Sequence, residues 1–161
     1  VRDWMNSGIR DSKTITDGAI LKMAKQIKET KGAAVKVAYT SMIKYNELYL
    51  KFDSNLNKFL AWLHGRSLND AIEEKKPAWG LLDQFTKQPL VQKYVEGKDF
   101  ELRMRTKAES DPVVAAASII ARATWLQQMK KLSEFFQIRT RAFLQSCSLQ
   151  RLSQRETPEK L

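Results

Sequence analysis

The alternation of helical and extended hydrophobic patterns is the feature that most constrains the fold of this 161-residue chain. In several stretches the apolar residues recur every three to four positions, which is typical of one face of an amphipathic helix. Between these stretches lie short apolar or strictly alternating runs, which are typical of strands. We predict strands over residues 33–40, 78–83 and 99–105, and long helices over residues 55–74 and 112–135. Strands that alternate with helices indicate an α/β layered fold.

Capping and breaking residues set the expected helix boundaries. Thr16 or Asp17 precedes the first helical pattern, and Gly32 ends it. Asp111 stands before Pro112, which favours the first helical position, so Asp111 is the expected N-cap of the last long helix. The stretch KQPLVQKYVEG predicts a further short helix before Gly97.

The charge balance indicates the class of partner. The chain has 28 basic and 18 acidic residues, and its net charge is +10. This excess favours a polyanionic partner, with nucleic acid ahead of an acidic membrane surface. No apolar run is long enough to span a bilayer, and the sequence shows no signal-peptide pattern. Cys147 is the only cysteine, which excludes a disulfide framework and a cysteine-based zinc site, so we expect a cytoplasmic protein without membrane association.

Two acids stand where an α/β sheet gathers its functional residues. Asp83 ends the apolar run AWGLLDQF, and Glu109 follows the alternating run FELRMR. Sites in open α/β sheets lie at the carboxyl ends of the strands, so both acids are candidates for a site. The alternatives from the residues alone are that Asp83 caps the next turn and that Glu109 is a surface acid paired with Lys107.

Several segments resemble a known family when they are taken in order. The segments IRDSKTIT, LLDQF and KAESDPVVAAASIIAR resemble the type 2 ribonucleases H, and YNELYLKF and NLNKFLAWLHGRSL are similar to its ribonuclease HIII branch. The resemblance runs from about residue 8 to 137. It implies an RNase H-like layered fold and an endonuclease that cleaves the RNA strand of RNA–DNA hybrids.

The same resemblance implies a metal site and substrate contacts. Asp83 and Glu109 match two of the family's four acidic positions, which would hold two Mg²⁺ or Mn²⁺ ions about 3.5–4 Å apart. We therefore expect their carboxylates to lie on the order of 4–8 Å apart. Ser12 and Lys13 match the segment beside the substrate backbone, and Lys107 is a candidate phosphate contact. A helix cap at Ser12 and solvated lysines at the other two positions are the alternatives.

The chain also departs from the family pattern. It has no stretch like the first-strand DESGKG motif, which carries the family's other two acids, and its DSK segment begins at Asp11. We therefore expect an incomplete sheet flanked by helices, with a partial catalytic domain over residues 1–137. Residues 138–161 are expected to form a divergent basic tail, either native or altered by a frame error. We expect a monomer with weak or no cleavage activity, and the alternative function is a non-catalytic nucleic-acid-binding module.

His64 and Gly65 are interpreted as structural. His64 is the only histidine, and its place in the middle of the long helical pattern favours a structural role over that of a mobile histidine near the metal ions. Gly65 follows it and weakens that helix by about 1 kcal/mol relative to alanine.

Overall fold

Residues 4, 8–9 and 12–135 are described by the structure, a computed structural model. The chain divides into two units, Val1–Ala123 and Thr124–Leu161. The tail expected at residues 138–161 lies outside the described residues. Every contact discussed below lies within the first unit.

Two parallel strands form the sheet in the described part of the chain. Strand β1 is Trp79–Asp83 and strand β2 is Glu101–Arg105, with Trp79 opposite Glu101 and Asp83 opposite Arg105. Both strands lie where the apolar and alternating runs predicted them. Residues 84–100 connect them, and these seventeen residues are long enough for the crossover that two parallel strands require.

The described residues form four α-helices. They are α1 (Asp17–Glu29), α2 (Met42–Lys51), α3 (Leu56–Lys75) and α4 (Pro112–Phe135). Asn55 and Asp111 cap α3 and α4, since their Oδ1 atoms accept hydrogen bonds from the main-chain N–H groups of Lys58 (3.1 Å) and Val113 (2.8 Å). The predicted helices over residues 55–74 and 112–135 are therefore confirmed, as is the capping role of Asp111. Helix α2 was not predicted.

The core is made by the inner faces of α1, α3 and α4 and by the segment between the strands, whereas α2 has no buried residue. Its largest fully buried side chains are Phe59, Ile20, Ile119 and Val91. One face of the alanine-rich first half of α4 is buried, and its small residues allow close approach to neighbouring parts of the chain. The buried positions of that half are Ala115, Ala116, Ile119, Ile120 and Ala123.

The predicted strand over residues 33–40 is wrong, because this segment forms no ladder in the described structure. A strand is defined by main-chain hydrogen bonds to a neighbouring strand. The N–H of Ala38 instead donates to the Oγ of Ser67 on α3 (3.0 Å). Lys36 forms an ion pair with Glu74, also on α3 (2.6 Å). The period-2 pattern therefore belongs to an irregular segment that lies along a helix.

The short helix predicted before Gly97 is confirmed only in part. Only Gln92–Tyr94 are helical there, as a single 3₁₀ turn. The main-chain carbonyl of Tyr94 accepts a hydrogen bond from Asn69 Nδ2 on α3 (3.0 Å), so a side chain takes the place of a helical N–H. Tertiary contact with α3 therefore ends the turn after three residues.

Candidate active site

The two candidate acids lie at adjacent positions of the sheet edge. Asp83 is the last residue of β1, and Glu109 lies in the 3₁₀ turn Ala108–Ser110 that follows β2. Because β1 and β2 are parallel, their carboxyl ends meet at the same edge. Asp83 is exposed and Glu109 is half-buried, so the edge is open to solvent.

A hydrogen bond ties the two strand ends together at this edge. Oδ1 of Asp83 accepts from the main-chain N–H of Ala108 (2.8 Å), the residue immediately before Glu109. The Asp83 carboxylate is thereby held against the turn that carries Glu109. The Oδ2 atom accepts no hydrogen bond from any residue that the structure describes. The expected 4–8 Å separation of the two carboxylates stays a prediction.

Lys107 shapes the turn that presents Glu109. Its backbone is left-handed, with φ +55°, which a lysine rarely adopts. Two hydrogen bonds of Ser110 hold this turn. Its Oγ donates to the Lys107 carbonyl (3.1 Å) and accepts from Arg105 Nη2 (3.2 Å). A costly backbone conformation at a strand end, held by local hydrogen bonds, is a common property of functional turns.

The Ser12–Lys13 candidates lie in a 3₁₀ turn, Ser12–Thr14, before α1. Lys13 is exposed, whereas Ser12 is only 8% exposed. The main-chain carbonyl of Ser12 accepts a hydrogen bond from Arg122 Nη1 on α4. Sequence reasoning did not single out Arg122. The signal was there, because it is the one charged residue between Asp111 and Lys130.

His64 on α3 stacks on Phe85, two residues after Asp83, with ring centroids 5.3 Å apart. Burial lowers the pKa of His64 below its ordinary value of 6.5. This buried stack supports the structural interpretation of His64.

The donors at the sheet edge fit a hard divalent ion in type but fall short in number. Carboxylate oxygens are the ligands that Mg²⁺ and Mn²⁺ prefer. Within the described residues, no group of three or more His, Cys, Asp or Glu side chains lies close enough to hold a metal ion. Asp83 and Glu109 alone leave most of the roughly six coordination positions of each ion to other donors. These two carboxylates would therefore supply only part of the ligands that a two-ion site needs.

Comparison with known proteins shows the family to which this chain belongs. The family model described as Ribonuclease HII matches residues 3–142, which is most of the chain. The chain therefore belongs to the ribonuclease HII family, a family of enzymes.

Curated relatives give the same result at the level of the sequence. The chain is 36% identical over 133 residues to Ribonuclease HIII of Protochlamydia amoebophila (strain UWE25), covering 81% of this chain and 43% of the relative. It is 38% identical over 136 residues to Ribonuclease HIII of Chlamydia pneumoniae, covering 81% and 44% respectively. These names agree with the resemblance to the HIII branch. The chain spans less than half the length of these relatives.

A solved structure supports the fold. The chain matches a structure titled "Structure of the PCNA:RNase HII complex from Archaeoglobus fulgidus" with a TM-score of 0.71 and 23% sequence identity. The match covers 98% of this chain and 77% of that one. The α/β fold expected from the sequence is therefore confirmed. Among the described residues, no helix has the length and apolarity that crossing a membrane requires.

Proposed function

We propose that this chain carries part of the catalytic domain of an endoribonuclease that hydrolyses the RNA strand of RNA–DNA hybrids. The observation that supports this most is the meeting of Asp83 and the Glu109 turn at one sheet edge, joined by the Asp83–Ala108 hydrogen bond. Membership of the ribonuclease HII family supports a catalytic role for that edge.

In this proposal Asp83 and Glu109 are catalytic residues that hold Mg²⁺ or Mn²⁺. Such ions stabilise the charge that develops on the attacking and leaving oxygens of the phosphodiester. Two carboxylates supply too little negative charge to keep two cations side by side. A two-ion site therefore needs further acids, which the family's first-strand motif would supply. This chain by itself is weakly active or inactive.

The substrate contacts in this proposal are basic and polar groups near the edge. Lys107 is exposed in the turn before Glu109, and Lys13 is exposed in the turn before α1. Both are suited to phosphate oxygens as charged donors. Ser12, mostly buried, would act beside Lys13 by fixing the turn. The net charge of +10 adds a general attraction that weakens with salt. We place the protein in the cytoplasm as a monomer.

A non-catalytic nucleic-acid-binding module is the second candidate. The hydrogen bond from the Ala108 N–H to Asp83 favours it, because an aspartate that caps a turn needs no metal. In that case the basic surface would bind any duplex through its phosphates.

Paramagnetic broadening by Mn²⁺ separates the two candidates without requiring activity. Small additions of Mn²⁺ should broaden the amide signals of residues 83–84 and 106–110 before those of other acidic surfaces. Asp83→Asn should remove that preference, whereas Asp70→Asn, at an exposed acid on α3, should leave it unchanged. Equal broadening at all exposed acids would contradict the proposed metal site.

Binding of labelled duplexes tests the substrate. Affinity for an RNA–DNA hybrid should fall steeply between about 50 and 200 mM salt, because bound phosphates release counterions. The hybrid should bind more tightly than a DNA duplex of the same sequence. Equal affinity for both duplexes would favour the non-catalytic module, and salt-independent affinity would contradict both candidates.

A further inference from the structure

Arg122 joins two parts of the chain that are 110 residues apart in sequence. It lies on α4, and its Nη1 atom donates to the main-chain carbonyls of Ser12 and Ile15, the latter at 3.1 Å. Its Nη2 atom forms an ion pair with Oδ1 of Asp17, the first residue of α1 (2.6 Å). One guanidinium therefore contacts three acceptors along the segment 12–17.

This set of contacts fixes the Ser12–Thr14 turn in space. The Ser12 carbonyl accepts the hydrogen bond of the 3₁₀ turn from the Ile15 N–H (3.3 Å), and Arg122 donates to its second lone pair and to the Ile15 carbonyl. The planar guanidinium carries donors in a rigid fork, so it can hold several acceptors in one relative orientation. A lysine ammonium is a single point and does not impose that geometry.

Helix α4, which carries Arg122, begins next to the turn that carries Glu109. Glu109 and the capping Asp111 directly precede Pro112, the first residue of α4. Arg122 is ten residues further on, or about 15 Å along the helix axis. That length corresponds to roughly four base steps of a duplex. Helix α4 is thus a rigid spacer between the acids and the turn that carries Lys13.

We propose that Arg122 is a positioning residue for nucleic-acid binding, which holds the Lys13 turn against α4 at a fixed distance from Asp83 and Glu109. Arg122 acts through Lys13 and does not itself contact the nucleic acid, because its guanidinium is engaged by protein acceptors. The inference rests on the proposed function, since it takes Lys13 as a contact to the hybrid backbone.

A double-mutant cycle on the full 161-residue chain tests this inference. Affinity for a labelled RNA–DNA hybrid is measured by fluorescence anisotropy for the original chain, Lys13→Ala, Arg122→Met and the double variant. Lys13→Ala should weaken binding roughly fivefold. Arg122→Met should weaken it by a similar factor, and the double variant should be no weaker than Lys13→Ala alone, because both changes remove one contact. Arg122→Lys should restore only part of the loss.

Two controls separate positioning from general effects. Lys25→Met removes an exposed cation that is paired with Glu29 on α1, and it reports the loss of one charge far from the turn. Circular dichroism reports whether Arg122→Met is folded. If it is not, Asp17→Ala removes one of the three acceptors, leaves both main-chain carbonyls in place and completes the same cycle.

The outcomes distinguish failure of the positioning role of Arg122 from failure of the proposed function. If Lys13→Ala weakens binding but the Arg122 variant does not, or if their effects multiply in the double variant, the positioning role is overturned and the proposed function stands. If Lys13→Ala binds the hybrid as tightly as Lys25→Met does, the substrate contact in the proposed function fails, and the inference fails with it.

Discussion

Gly65 gives the sharpest test of the packing between α3 and the segment that joins the strands. It is buried within α3, and a Cβ added there would lie 2.6 Å from both Cβ and Cγ of Tyr94. Tyr94 cannot easily withdraw, because Asn69 on the same helix binds its carbonyl. Gly65→Ala gains about 1 kcal/mol of helix propensity. Overpacking against a backbone-anchored atom costs about 1–3 kcal/mol. We expect a net loss of up to about 2 kcal/mol.

Gly18→Ala is the matched control for this prediction. Gly18 lies in α1, and a Cβ added there meets nothing within 4 Å. That variant should be neutral or stabilised by up to about 1 kcal/mol. Urea unfolding followed by circular dichroism measures both, and the midpoint should move in opposite directions. A Gly65→Ala variant that is stabilised as much as Gly18→Ala would refute the close approach of Tyr94 to α3.

Two other predictions concern His64 and Lys107. Burial lowers the pKa of His64 in the folded protein, so below about pH 6.5 the unfolded chain binds more protons and stability falls as the pH drops. The single histidine should titrate in NMR with a midpoint below 6.5, and a midpoint at or above 6.5 would contradict the buried stack. His64→Gln should remove the contribution of His64 to the pH dependence of stability. Lys107→Gly relieves the left-handed backbone and should stabilise the fold by up to about 1 kcal/mol in urea unfolding while it weakens hybrid binding. A variant that is both stabilised and binds as before would remove Lys107 from the substrate contacts.

The elements that sequence reasoning predicted correctly are those with strong local signals. Strands β1 and β2 have short apolar or alternating runs, and α4 begins at a capping residue followed by proline. These signals are local and do not depend on residues far along the chain. The placement of Asp83 and the Glu109 turn at one edge followed from the parallel order of the strands.

The features that sequence reasoning missed depend on partners far along the chain. Residues 33–40 alternate like a strand, but strand formation depends on a neighbouring strand, and no local pattern reports whether one is present. The contacts of Arg122 with the segment 12–17 join residues more than 100 positions apart. Gly65 looked like a weakness of α3, and only the position of Tyr94 explains it.

Cleavage of a labelled RNA–DNA hybrid in Mg²⁺ or Mn²⁺ tests the central claim most directly. The chain should show little or no cleavage, since Asp83 and Glu109 alone do not complete a two-ion site. Joining an upstream segment that supplies an Asp–Glu pair should produce cleavage, and Asp83→Asn or Glu109→Gln should then abolish it. Strong metal-dependent cleavage by the 161-residue chain that survives Asp83→Asn would contradict both the site and the proposed function.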